Sequence, residues 1–236
     1  MAASSSKAAY ELISFDLDGT LVDTASEIAE AANLALEAHG IARRPLAEIT
    51  ELIGAGTREL MLKLLARVFF EQPSLAERVK VDEVLVSLDR FYAETTGSSA
   101  TLYPGCLQAL QQLRAAGLKL ACVTNKELRH AQRVLAVTQL EGFFDMLVGG
   151  DSLEHKKPHA SVLRQVAREL GVCTTRTAHI GDSRIDVEAA RNAGVSAWAV
   201  PYGYNAGQPI ESAAPQRIFA DLAQMAGHVL APMQQH

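Results

Sequence analysis

Asp16 and Asp18 stand two residues apart at the end of an apolar run, in Phe15-Asp16-Leu17-Asp18-Gly19-Thr20-Leu21. A strand has a side-chain period of two, so both carboxylates point to one side as the chain leaves a sheet. Like charges this close repel, and a divalent cation or a shared proton would resolve the conflict. Taken alone, the pair also fits an acidic strand-to-loop turn.

Three later clusters supply what the pair lacks. Thr124-Asn125-Lys126 follows the apolar run Leu120-Ala121-Cys122-Val123. A hydroxyl and an amide leading into a helix make a cradle for phosphate oxygens. In His155-Lys156-Lys157-Pro158 the proline holds Lys157 extended, so its charge can be aimed into a crevice. In Gly181-Asp182-Ser183-Arg184-Ile185-Asp186 the two acids are four apart and share one face of a helix beginning there. One can ligate a metal while the other orients a neighbour such as Lys157. Each cluster alone reads as well as a helix cap or a solvated turn. Together, in order and each after its own strand, they offer acids for a hard cation, donors for phosphate oxygens and a lysine for phosphate charge. That inventory suits phosphoryl transfer, where catalysis is mostly positioning and electrostatics.

The elements that must position these residues follow from periodicity. Tyr10 to Phe15 reads as a buried strand. Thr24–His39, Leu46–Val68 and Leu75–Tyr92 read as helices, with Pro73 breaking the chain between the last two. No strand pattern occurs between about 24 and 95, and Thr95 to Thr101 suits a linker. Beyond it helices alternate with strands: helix 105–116, strand 118–123, helix 128–138, strand 144–148, helix 159–170, strand 177–180, helix 185–193, strand 196–200. This alternation implies an α/β fold, a three-layer Rossmann-like core around a parallel sheet. An all-helical module is inserted after the first strand. The expected division is 8–22 and 97–236 for the core and 23–96 for the helical module. In such sheets the ligand crevice lies at the carboxyl ends of the strands, where Asp16 and Asp18 sit.

The 236 residues allow one large domain, or a core with a smaller insertion. The net charge of −5 argues against a general nucleic-acid or membrane-surface binder. Cys106, Cys122 and Cys173 have no metal-like spacing and suit a reducing compartment, with Cys122 a small core residue. Met1 to Lys7 is polar, with no apolar leader stretch, so the cytoplasm is the expected location.

The four clusters, in this order, resemble the motifs of the haloacid dehalogenase-like hydrolases, in their phosphatase branch. The helical module is similar to that family's first class of cap. Leu52-Ile53-Gly54-Ala55-Gly56-Thr57-Arg58-Glu59-Leu60-Met61 and Pro201-Tyr202-Gly203-Tyr204-Asn205 resemble segments of the phosphoglycolate phosphatase group. One departure is Ala160, where relatives often carry a second proline two residues after Pro158. Little effect is expected from it, and His159 is expected to be exposed.

The resemblance implies a Mg²⁺-dependent phosphomonoester hydrolase acting through an aspartyl-phosphate, with 2-phosphoglycolate as the expected substrate. Asp16 would be the nucleophile and Asp18 the proton shuttle. Mg²⁺ would be held by Asp16, the Asp18 carbonyl and Asp182. Gly19, Thr20, Thr124, Asn125 and Lys157 would hold the phosphoryl group, with Asp186 behind them orienting Lys157 or a metal-bound water. Arg58 is a candidate for a substrate carboxylate and reads equally as a solvated helix-face arginine. The expected partner is a small phosphorylated metabolite, neither nucleic acid nor membrane, and the chain a monomer or homodimer. Another small phosphate ester such as a sugar phosphate, or pyrophosphate, is the nearest alternative. A phosphomutase is disfavoured by Thr20 and Ile28, where such relatives tend to carry valine and histidine. A catalytically silent binding protein is disfavoured because Asp16, Asp18 and Asp182 are all present.

Overall fold

Period-two alternation builds the sheet. In β1 (Leu12–Phe15), Ile13 and Phe15 join one apolar cluster while Leu12 joins a second on the opposite face. The computed structural model describes residues 9–231. The polar start Met1 to Lys7 and the outer limits at 8 and 236 lie outside the described residues. After β1 come β2 (Val22–Asp23), α1 (Ala25–Ala38), α2 (Leu46–Thr50), α3 (Thr57–Glu71), α4 (Pro73–Ala76), α5 (Val81–Thr95) and β3 (Thr101–Leu102). There follow α6 (Cys106–Ala115), β4 (Lys119–Val123), α7 (Leu128–Val137), β5 (Met146–Val148), α8 (Ala160–Glu169) and β6 (Thr177–Gly181). The chain ends through α9 (Arg184–Ala193), β7 (Ser196–Ala199), β8 (Arg217–Ile218) and α10 (Leu222–Leu230).

Six strands form one parallel sheet in the order β5-β4-β1-β6-β7-β8. In β4, Leu120 and Cys122 share the face of Ile13 and Phe15, and Ala121 and Val123 take the other. Helices α6 and α10 close the first face through Leu110, Leu113 and Met225. Helices α8 and α9 close the second through Val162, Val166, Val187 and Ala190. The expected layered α/β core is therefore present, and Cys122 is fully buried within it. Helices α1 to α5 bury a separate cluster that includes Leu36, Leu64, Val84, Leu88 and Tyr92. Among the described residues no helix is long and apolar enough to cross a membrane.

The structure corrects several element boundaries. The helix expected over 46–68 is two helices, because Gly54 and Gly56 adopt φ of 130° and 96°, outside any right-handed helix. The helix expected over 75–92 is also two. Asp82 and Glu83 sit in the first turn of α5, where acids favour a helix start. The linker after α5 runs into β3, which pairs antiparallel with β2, so the paths into and out of the helical module lie side by side. β8 and α10 lie past Val200, beyond the last strand expected from the sequence. Helix α10 had a legible cap, since the Asp221 carboxylate accepts from the Gln224 N–H at 2.7 Å.

Candidate active site

Parallel register brings the motif residues to one edge of the sheet. Phe15 pairs with both Cys122 of β4 and Ile180 of β6. Asp16, Thr124 and Asp182 therefore leave the sheet together, at the carboxyl ends of three adjacent strands. Lys157 arrives from the loop between β5 and α8. All four are nearly buried.

The Lys157 ammonium lies 2.9 Å from Asp16 Oδ1 and 2.6 Å from Asp186 Oδ1. Burial opposes its charge, but the two acids prevail and hold its pKa above the usual lysine value. Asp186 has every acceptor engaged. Its Oδ1 also takes His179 Nε2 at 3.2 Å, and its Oδ2 takes the Ser183 hydroxyl at 2.6 Å and the Ser183 N–H at 3.2 Å. Burial works against the Asp186 charge, yet Lys157 and His179 hold its carboxyl well below the usual range. A carboxylate only accepts, so His179 donates from Nε2 and its Nδ1 accepts from the Ser14 hydroxyl at 2.8 Å.

Asp16, Asp182 and Asp186 each place an oxygen within 4.8 Å of the others. Burial first, then the neighbouring acids, raise Asp16 to about 7 and Asp182 to about 8. Asp182 is clamped, its Oδ1 by the Thr20 hydroxyl at 3.0 Å and its Oδ2 by the Tyr204 N–H at 2.6 Å. A Cβ at Gly19 or Gly203 would collide with this carboxylate, so both glycines make room for it. Gly19 also needs its φ of 84°. Buried acids that resist ionising, in an all-oxygen set, fit a hard divalent cation. The residues that could hold it are Asp16 and Asp182, with Asp186 behind them.

Asp18 faces the same cavity as Asp16 but lives in different surroundings. Its Oδ1 accepts from the Thr24 hydroxyl at 2.6 Å and from Lys126 Nζ at 2.7 Å. Lys126 closes the Thr124-Asn125-Lys126 cluster, whose phosphate cradle needs only the first two residues. Charge balance was the signal, since four acids converge and Lys157 alone cannot offset them. Thr24, His179, Tyr92 and Tyr204 were also missed. His179 was visible as a polar residue inside an otherwise apolar strand.

The helical module covers this edge. Asn125 Nδ2 donates to Gly54 O at 3.0 Å and to Lys157 O at 2.9 Å, so its amide nitrogen bolts two loops together. Lys156 Nζ donates to Ala55 O at 2.7 Å, and the Thr57 hydroxyl to Glu127 at 2.8 Å. The cavity between module and edge is lined by Asp16, Asp18, Thr124, Asn125 and Lys126 from below and by Ile28, Ile53, Leu60 and Tyr92 from above. Arg58 is not among its lining residues. It is exposed and borders an open neighbouring groove with Asp82, Asp89 and Glu127. His159 is exposed as expected, and caps α8.

This edge of the sheet, with its acids, lysines and helical cover, is that of one enzyme class. The family model described as haloacid dehalogenase-like hydrolase matches residues 13–200, and the chain belongs to that family. Within it, the chain is similar to the plasmid phosphoglycolate phosphatase of Cupriavidus necator, 40% identical over 80% of each chain. It is 33% identical to the phosphoglycolate phosphatase of Vibrio vulnificus strain CMCP6, over 93% of this chain and 96% of that one. A crystal structure from Haemophilus somnus, described as a predicted phosphoglycolate phosphatase, superposes with a TM-score of 0.85. That pair is 30% identical, over 93% of this chain and 97% of the other. The chain is thus a phosphoglycolate phosphatase-like member of the family, a phosphoric monoester hydrolase.

Proposed function

We propose that the protein hydrolyses 2-phosphoglycolate to glycolate and phosphate through an aspartyl-phosphate on Asp16, with Mg²⁺ as cofactor. The observation that carries this is the contrast between the two acids. Asp16 sits at the cavity floor beside Lys157 and Asp182. Asp18 sits beside it with one oxygen fixed by Thr24 and Lys126. A fixed carboxylate next to an anion-stabilising lysine suits nucleophilic attack at phosphorus, and splitting the displacement into two steps lowers each barrier. Asp18, with its Oδ2 left free of those two bonds, protonates the leaving alkoxide and later takes a proton from the attacking water. Lys157 and Thr124 hold the transferring phosphoryl group; the backbone N–H groups of Gly19 and Thr20, expected to share that task, are instead taken up by the turn, donating to Val22 O at 2.9 Å and Leu17 O at 3.3 Å. Asn125 acts there through its hold on the Lys157 loop.

Mg²⁺, held by Asp16, the Asp18 carbonyl and Asp182, would offset the charge of the acids and of the phosphoryl oxygens. Asp186 keeps Lys157 in place. Residues 23–96 act as a cap that excludes bulk water and meets the leaving group. The substrate assignment is supported by the names of the relatives, phosphoglycolate phosphatases at 33–40% identity.

The test is phosphate release from 2-phosphoglycolate, hexose phosphates, nucleotides and pyrophosphate, with and without Mg²⁺, by the wild type and Asp16→Asn. Mg²⁺-dependent turnover ranking 2-phosphoglycolate first, lost in Asp16→Asn, is expected. A poor rank for 2-phosphoglycolate would remove the substrate assignment and leave the reaction class standing.

A further inference from the structure

We propose that Tyr92 and Lys126 together recognise a carboxylate on the leaving group, which restricts the site to carboxylated phosphate esters; this rests on the phosphatase reading above. The cavity roof is largely apolar, formed by Ile28, Ile53 and Leu60. Among the described residues that line this roof, Tyr92 is the buried one that carries a polar group. It is 1% exposed, it lines the cavity, and its hydroxyl has no hydrogen-bond partner. Buried hydroxyls are nearly always paired, so one left unpaired beside a cavity marks a place for a ligand atom.

Lys126 faces it from the core, 3% exposed. Its Nζ lies 5.2 Å from the centre of the Tyr92 ring and donates to Asp18 Oδ1 at 2.7 Å. The ammonium and the phenol are close enough to interact, yet no hydrogen bond of normal geometry joins them. An ammonium has three donors and a phenol one. Glu27, the other nearby acid, has its Oε2 engaged by the N–H groups of Gly97 and Ser99, while its buried Oε1 bonds nothing and does not accept from Tyr92. Two donors, one of them charged, thus converge beside the proton shuttle, where the leaving group must lie. A carboxylate is the ligand that accepts from both.

The experiment compares 2-phosphoglycolate with ethyl phosphate, which has the same carbon count and no carboxylate. Wild type should strongly prefer 2-phosphoglycolate. Tyr92→Phe should lower kcat/KM for 2-phosphoglycolate by about 10- to 100-fold, mostly through KM, and change that for ethyl phosphate by less than about threefold. Its Tm should change little, because the hydroxyl makes no hydrogen bond of normal geometry in the free protein. Lys126→Met also disturbs Asp18, so both esters should suffer, with the larger loss on 2-phosphoglycolate. Equal losses on both esters in both variants would overturn the proposal and leave Tyr92 a packing residue. So would a wild type indifferent to the carboxylate, with the phosphatase reading intact. No release from either ester or from p-nitrophenyl phosphate would instead remove the phosphatase reading.

Discussion

Lys157 and Asp186 form an ion pair with Nζ 2.6 Å from Oδ1, each side chain 1% exposed. The pair is held from behind by Ser183 and His179 and turned forward to Asp16. Two buried charges gain little net stability, because desolvation offsets their attraction. The pair does fix where the lysine points, and a phosphoryl group needs a positive charge in a set position.

Asp186→Asn should therefore act at a distance. The variant leaves Lys157 with Asp16 as its remaining acid, and draws it onto the nucleophile. Loss of such an orienting partner typically costs 10- to 100-fold, so kcat should fall by about that factor. Leaving a buried charge half-compensated should lower stability by about 3 kcal/mol. Steady-state kinetics and urea unfolding check the two effects, and an unchanged kcat would show that Lys157 is placed by other means.

Metal and pH should be linked through Asp16 and Asp182. Burial and mutual repulsion raise them from a reference near 3.8 to about 7 and about 8. A raised acid stabilises the folded state below its unfolded pKa, and that stabilisation is lost as pH rises through the folded value. Asp186 is shifted the other way, so its contribution is present above its unfolded pKa and is lost only in acid. The chelated protein should accordingly lose stability between about pH 4 and 8 from the first two acids. Mg²⁺ takes the place of their protons, so its stabilisation should grow over the same window. Thermal unfolding in EDTA and in Mg²⁺, at pH 5.5 and 8.5, reads this directly. A Mg²⁺ shift no larger at pH 8.5 would count against these two acids as ligands.

Much of the site was legible because its logic is one-dimensional. Asp16, Thr124 and Asp182 each follow an apolar run, and parallel strands place such residues at one edge. Asp186 was legible from its four-residue spacing to Asp182 and from its match to Lys157. What escaped was set by three-dimensional packing. Thr24 reaches Asp18 only because the chain folds back at Gly19, whose N–H donates to Val22 O. Tyr204, in the loop after β7, donates its N–H to Asp182 and its hydroxyl to Asp23, the second a contact across 181 residues of chain. The breaks at Gly54 and Gly56 fall inside a segment whose apolar periodicity suggests one helix, although two glycines so close also fit a turn before a helix, which is what forms. Lys126 could have been found by counting charges, and Arg58 could not have been placed without the cap's orientation.

Thr24→Val tests the hold on Asp18. The hydroxyl donates to Asp18 Oδ1 at 2.6 Å, and valine keeps the shape without the donor. A hydrogen bond to a charged acceptor is worth about 1.5–3 kcal/mol. If it orients the proton shuttle, kcat should fall by about 10-fold or more with KM for the phosphate ester little changed. The measurement is kcat with 2-phosphoglycolate against kcat with p-nitrophenyl phosphate. The latter's good leaving group needs less protonation, so its loss should be smaller. Equal losses would assign Thr24 to packing alone.

Lys156→Met separates the cap loop from the chemistry beneath it. Lys156 is exposed, and its Nζ holds Ala55 O at 2.7 Å, between the two glycines that break the helix. The residue touches none of the acids, and methionine keeps its apolar stem. An exposed hydrogen bond to a carbonyl contributes about 0.5–1.5 kcal/mol, so the closed loop should become about 2- to 10-fold less favoured. Because Asn125 still bonds Gly54, the loop should loosen and not detach. KM for 2-phosphoglycolate should therefore rise by a few fold at constant kcat, with no change in Mg²⁺ dependence. A fall in kcat with KM unmoved would mean instead that the loop's position enters the chemical step, through Asn125 and the carbonyl of Lys157 that it holds.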